Sequence, residues 1–170
     1  MGLNSEQKEL LELFVKQELL IEKLYKRFSE RYPDYKRFWT KLAYEEYQHA
    51  LIIQRLSENL SINSILFSQG NLRTTNLNSS INYIENLIID FTNNKSDFPI
   101  ARSATIALQL EKGLWENKIF QCFEGDSEEV RRVLSSLHLE QEVHIRKIQK
   151  FALKFMGLAR TDTQNIKTTT

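Results

Sequence analysis

The chain has almost no cysteine, proline or glycine. Its 170 residues include one Cys, two Pro and five Gly. Cys122 alone cannot close an intramolecular disulfide or supply a thiolate zinc or iron site. So few turn formers disfavour an all-β fold, which needs one at each reversal, and suit long helices. Excess charge is missing too. With 23 Lys and Arg against 22 Asp and Glu, the net charge of +1 gives no electrostatic footprint for nucleic acid or a membrane surface. No apolar run approaches the roughly 20 residues of a membrane span. Residues 1–9 are polar and lack the apolar core of a secretory signal, so the expected location is cytoplasmic. At this length, 41% hydrophobic residues suffice for one full core.

What the chain does have is apolar residues spaced three and four apart. Residues 39–56, WTKLAYEEYQHALIIQRL, place Trp39, Leu42, Glu46, His49, Ile53 and Leu56 on one helix face. That stripe is apolar at both ends and carries a carboxylate and an imidazole in its middle, one turn apart. Three other segments repeat the pattern. A first helix is expected from Asn4 or Ser5 to about Tyr32, with Glu6 in its first turn and the stripe Leu11, Phe14, Glu18, Ile21, Tyr25 and Phe28. Pro33 and Asp34 turn the chain into the second helix, over about 34–59. A third, capped by Ser96 or Asp97 with Pro99 in its first turn, is expected to run to about Phe123. Its stripe is Ala104, Ala107, Glu111, Leu114 and Lys118, widened by Leu108, Trp115 and Ile119. The fourth, capped by Asp126 or Ser127 and closed by Gly157, carries Val130, Leu134, Leu137, Gln141, His144, Ile148, Phe151 and Phe155. Between the second and third, 61–80 read as a long irregular connection and 82–91 as a short helix lying on the bundle. Residues 1–158 thus form one all-α domain, and the polar, Thr-rich segment 159–170 is expected to be a disordered tail.

The two halves repeat. Glu18 and Glu111 are 93 residues apart, while Glu46 and Gln141 are 95 apart, as are His49 and His144. IEKLYKRF matches LEKGLWENKIF, and LAYEEYQH matches LHLEQEVH. Two related helical hairpins joined by a long crossover bring the polar positions of all four stripes to a similar height. Three bare carboxylates in such a seam would cost several kcal/mol each, so they need compensation. Protonation, pairing with a cation or divalent metal would each supply it; with metal, carboxylates offset and bridge the ions, and each histidine adds a neutral nitrogen. Trp39 and Trp115 read as core aromatics, His138 as a surface histidine and Cys122 as a small buried apolar residue.

A carboxylate from each of two helices, with a carboxylate–histidine pair three apart from each of two others, is the di-iron carboxylate arrangement. On these residues the chain resembles the rubrerythrin-like branch of the ferritin-like superfamily over most of 5–158. The match rests on Glu18 followed seven residues later by Tyr25, the Glu-x-x-His of KLAYEEYQHA at Glu46 and His49, Glu111 in ALQLEKG, and His144. Two positions depart from it. Gln141 stands where the second Glu-x-x-His has its glutamate, and Lys118 stands where the internal repeat has Tyr25. The resemblance implies a ferritin-like four-helix bundle of two hairpins, with a long crossover containing a short extra helix. It implies two iron ions held by Glu18, Glu46, His49, Glu111 and His144, with Glu46 as the bridge and with Tyr25 and Gln141 supporting the ligands. The implied chemistry is peroxide reduction or oxygen activation. With a single cysteine these 170 residues carry no rubredoxin-type site, so if the centre is redox active an external donor protein is expected to bring electrons, and a homodimer is expected. Gln141 and Lys118 favour a second reading: a degenerate bundle with one metal, such as zinc, or none, acting as a binding or structural module. Glu140, beside the stripe, would take the place of Gln141 only if the fourth helix rotated or its side chain swung inward. An iron-storage cage fits the irregular crossover less well.

Overall fold

The computed structural model describes residues 4–60, 65–67, 73–93, 98–113, 123–125 and 128–165. Among the described residues five helices follow one another: α1 Ser5–Arg31, α2 Lys36–Leu60, α3 Thr74–Asn93, α4 Ile100–Lys112 and α5 Glu128–Asn165. A 3-10 turn at Pro33–Tyr35 joins the first two. Two three-residue strands, β1 Ile65–Phe67 and β2 Phe123–Gly125, pair antiparallel with Leu66 opposite Glu124. The architecture is otherwise all-α. No helix among the described residues is long and apolar enough to cross a membrane.

The sequence explains where α1 begins and ends. Asn4 Oδ1 accepts the Gln7 N–H at 2.9 Å, and Gln7 Oε1 accepts the Asn4 N–H at 3.0 Å, a capping box that satisfies two amides reciprocally. Pro33 has no amide hydrogen and pushes Tyr32 out of the helical region, to ψ 80°. The short turn that follows lays α2 antiparallel along α1. Every stripe residue of α1 named above is buried, as are Trp39, Leu42, Glu46, His49 and Ile53 of α2.

Contacts between helices fix their directions. Trp39 at the start of α2 meets Tyr25 late in α1, with ring centroids 5.7 Å apart. Tyr32 donates its hydroxyl to the Phe98 carbonyl and lies 2.8 Å from Ser103 Oγ, which ties the start of α4 to the same end. Phe151 of α5 stacks on Phe38 at 3.9 Å and meets the Trp39 edge at 5.3 Å. This aromatic end belongs to a core to which all five helices contribute, α3 through Ile84, Leu87, Ile88 and Phe91. From that end α2 and α4 run the same way, and α1 and α5 run against them. A polar layer lies about two turns beyond the aromatics, since Glu18, Glu46 and His144 are each seven residues from Tyr25, Trp39 and Phe151.

Several boundaries differ from expectation, each for a local reason. The expected crossover helix 82–91 is α3, which spans 20 residues and starts at Thr74, inside the segment expected to be irregular. Its Leu77 and Ile81 extend the buried stripe, and Ser79 Oγ bonds back to the Thr75 carbonyl, so its polar residues do not break the helix. β1 also falls within that connection. α4 is capped by Pro99 and ends at Lys112, well before Phe123, which lies in β2. Gly113 makes the break: its ψ of 132° leaves the helix while its N–H bonds the Leu110 carbonyl at 3.0 Å. Ser96, Asp97, Leu114, Trp115, Lys118, Ile119 and Cys122 lie outside the described residues. α5 continues through Gly157 to Asn165, because one glycine costs a helix only about 1 kcal/mol and does not by itself end it.

A Cβ at Gly113 would lie 2.9 Å from the Leu110 carbonyl oxygen, a backbone atom that cannot step aside cheaply. Gly113→Ala is therefore expected to lower unfolding free energy by about 1–3 kcal/mol, measured by urea denaturation. Full wild-type stability in this variant would show that the break has another cause.

Candidate metal centre

Four helices place side chains in the polar layer. Glu18 of α1 lies as far before Arg31 as His49 lies after Lys36, so antiparallel packing sets them level. Glu18, Glu46 and Glu111 are each 0% exposed, and His49 and His144 are 3% and 2% exposed. This is complete burial of five chemically demanding groups.

The layer divides at Glu46. Glu46 Oε2 lies 3.5 Å from His49 Nδ1, and Glu18 Oε2 lies 3.8 Å from that same nitrogen. Glu46 Oε1 instead lies 3.2 Å from His144 Nδ1, with Glu111 Oε2 at 3.5 Å from it. Each half holds two carboxylate oxygens around one imidazole nitrogen, and one glutamate belongs to both. The two rings meet edge-on, with centroids 6.1 Å apart and planes at 68°. Tyr25 donates its hydroxyl to Glu111 Oε1 at 2.7 Å, which fixes that carboxylate and leaves Oε2 toward His144.

The donor set fits a divalent cation. Both oxygens of Glu18 and both nitrogens of His144 are buried with no hydrogen-bond partner among the described residues. Leaving such groups unsatisfied is expensive, and a cation satisfies them together. Ligand atoms of Glu46, His49 and His144 all lie within 4.8 Å of one another, so this cluster can hold a metal. Burial, then the neighbouring His49 and Lys147, push the His144 pKa from 6.5 down to about 3. Burial outweighs the nearby carboxylates, and His144 is neutral at pH 7, the form in which imidazole binds metal.

The structure brings Glu18, Glu46, His49, Glu111 and His144 into one layer and sets Tyr25 behind Glu111. Gln141 lies in α5, but its side chain and that of His138 are outside the described residues. Glu140 is exposed, on the wall of a cleft and not in the layer. That cleft, of about 250 Å³, opens between α2 and α5 and is lined by Glu45, His49, Leu139, Glu140, Val143, His144 and Lys147. It reaches both histidines from solvent.

Two residues near the layer escaped the sequence reading. Gln17 is 4% exposed, and its Oε1 has no hydrogen-bond partner among the described residues. Glu45 accepts from Lys147 Nζ at 3.0 Å and places Oε2 3.5 Å from His144 Nε2. The acidic pair Glu45-Glu46 was the available signal, but heptad spacing assigns only one of the two to the seam. Comparison of the chain with protein-family models, with curated proteins and with solved structures finds no match in any of the three.

The unfolded chain binds more protons than the folded one between about pH 6.5 and 3, because the folded His144 pKa is the lower. The His144 contribution to metal-free stability is thus present above about pH 6.5 and lost as pH falls toward 3. Denaturation of metal-free protein across that window should show this slope, and His144→Gln should flatten it. An equal slope in both proteins would mean that other groups carry the pH dependence.

Proposed function

We propose that the chain is a non-haem di-iron protein of the rubrerythrin-like, ferritin-like kind, reducing peroxide or activating oxygen in the polar layer. The observation that carries this reading is the division at Glu46, whose two oxygens face the Nδ1 atoms of two different histidines. One cation among Glu18, Glu46 and His49, and another among Glu46, Glu111 and His144, would each find two oxygens and a nitrogen. The helix directions support the reading as well: two antiparallel hairpins with α2 and α4 parallel across a long connection suit a ferritin-like bundle.

Bound iron would supply electron transfer and open coordination positions for an oxidant. The chain's own part is positional. Glu18 and Glu111 close the two ends of the layer, Tyr25 holds Glu111, and the aromatic end excludes water from below. The cleft between α2 and α5 admits a small oxidant to the histidine side. Electrons would come from a separate donor protein.

A second reading has its own observation. Glu46, His49 and His144 alone lie within 4.8 Å of one another, and two histidines with one carboxylate suit a single ferrous or zinc ion. Under that reading Gln141 marks a bundle that keeps one metal or serves as a binding module.

Elemental analysis after anaerobic loading with ferrous iron and desalting separates the two. The proposal expects about two irons per chain and an optical change on adding peroxide. Glu46→Ala should abolish retention of both ions, whereas loss of only one would place the two sites independently. Gln141→Glu should raise iron occupancy or turnover. About one metal per chain, with no peroxide response, would establish the mononuclear reading.

A further inference from the structure

The net charge of +1 conceals an uneven surface. Residues 143–155 of α5 hold Arg146, Lys147, Lys150 and Lys154 and no carboxylate, and residues 36–44 of α2 hold Lys36, Arg37 and Lys41 and none. Helical spacing sorts these cations by face. On α2, Arg37, Lys41, Glu45 and His49 stand four apart; on α5, Val143, Lys147, Lys150 and Lys154 stand three or four apart. One end of each stripe, Glu45 and His49 with Val143 and Lys147, lines the cleft. The two helices run antiparallel there, with Phe38 stacked on Phe151 at 3.9 Å and Lys147 Nζ 3.0 Å from Glu45 Oε1. Arg37, Lys41, Lys150 and Lys154 therefore continue the cleft as a basic strip over the aromatic end.

Glu45 is the strip's own carboxylate, 3.0 Å from Lys147 Nζ and 3.9 Å from Lys41 Nζ. Arg37, Lys150 and Lys154 are exposed and ion-pair with no carboxylate among the described residues. Tyr44 and Leu153 stand beside them, 62% and 57% exposed. Beneath the strip, Phe151 meets Trp39 at 5.3 Å and Trp39 meets Tyr25 at 5.7 Å, so packing is continuous to the hydroxyl that holds Glu111.

We infer that this strip is the docking surface for an acidic protein, the electron donor that the proposed function requires. The partner's role as donor rests on that reading; the surface does not. Complementary charge steers such an encounter, and exposed apolar side chains among the cations supply its contact core. A strip about two turns long suits the small interface of transient electron-transfer partners. Its ends favour a folded protein over a uniform polyanion. Glu140 lines the cleft at one end, and Asp34 lies in the turn before α2 at the other. Duplex DNA or an anionic bilayer would extend its charge over both carboxylates, whereas an acidic area of limited size does not.

The test titrates the full, metal-free chain with an acidic plant-type [2Fe–2S] ferredoxin at low salt. Backbone amide shifts locate the contact, and calorimetry gives the affinity. Shifts should gather on 37–44 and 146–154, and added salt should weaken binding steeply. Reversing both Lys150→Glu and Lys154→Glu should weaken it by roughly 10-fold or more, and the milder Lys150→Gln with Lys154→Gln by less. Arg131→Glu with Arg132→Glu, at the start of α5, should leave it unchanged. The neutral pair keeps the proposal open to refutation if the reversed pair fails to fold. No saturable binding, shifts centred elsewhere, or equal losses at 131–132 and 150–154 would overturn the docking surface. Tighter binding at the same residues by duplex DNA, or by phosphatidylserine vesicles, would overturn the choice of an acidic protein. Ferredoxin bound at the strip of a chain that retains no iron would support the surface while removing the di-iron reading. Iron loading without such binding would do the reverse.

Discussion

Burying three carboxylates and two imidazoles at one height is the constraint on which the remaining structure depends. Each carboxylate taken from water without a partner costs several kcal/mol, a large share of a domain's net stability. The layer is therefore tolerable only inside a frame that offsets it. Leu11 and Phe14 lie before Glu18 along α1, with Ile21, Tyr25 and Phe28 after it, so the polar layer is bracketed by apolar turns of the same stripe. The aromatic end supplies most of the bulk, with Trp39, Phe28, Phe91 and Phe151 meeting edge-on. Such packing holds backbone positions tightly enough for ligand atoms on four helices to converge within ångströms.

The two halves of the molecule solve the same problem unequally. In the first, Pro33–Tyr35 closes a tight hairpin and both helices run several turns past the polar layer. In the second, Gly113 ends α4 just beyond Glu111, and α5 begins many residues before His144. The chain between them returns through β2, whose three-residue ladder with β1 ties together the connections that follow α2 and α4. Bonds between the halves compensate for the shorter α4. Tyr25 of α1 holds Glu111 of α4, Tyr32 holds the start of α4 through Phe98 and Ser103, and Lys147 of α5 holds Glu45 of α2.

The long helices and their buried faces were legible because a helix buries one face and period 3.6 is hard to disguise. Leu11, Phe14, Glu18, Ile21, Tyr25 and Phe28 are all on the buried face that their spacing assigns. The breaks were less legible. Gly113 ends a stripe that continues on paper through Leu114, while Gly157 lies inside a helix that does not end. The same residue type has opposite outcomes: Gly113 takes ψ 132° and leaves the helix, whereas the chain stays helical through Gly157. α3 was underestimated because Asn, Ser and Thr favour loops until tertiary burial of Leu77 and Ile81 holds the segment in a helix.

Spacing alone determined which residues share a face, and therefore that Glu46 and His49 must point into the core together with Glu18. The internal repeat added Glu111 and His144 to the same height. Only tertiary structure decided which atoms meet: that Glu46 divides its oxygens between two imidazoles, that Tyr25 holds Glu111, and that Glu45 faces the far nitrogen of His144. Periodicity sets the direction of a side chain to within a helical turn. Selecting one oxygen or one nitrogen requires the rotation and offset of a neighbouring helix, and packing across the core fixes both.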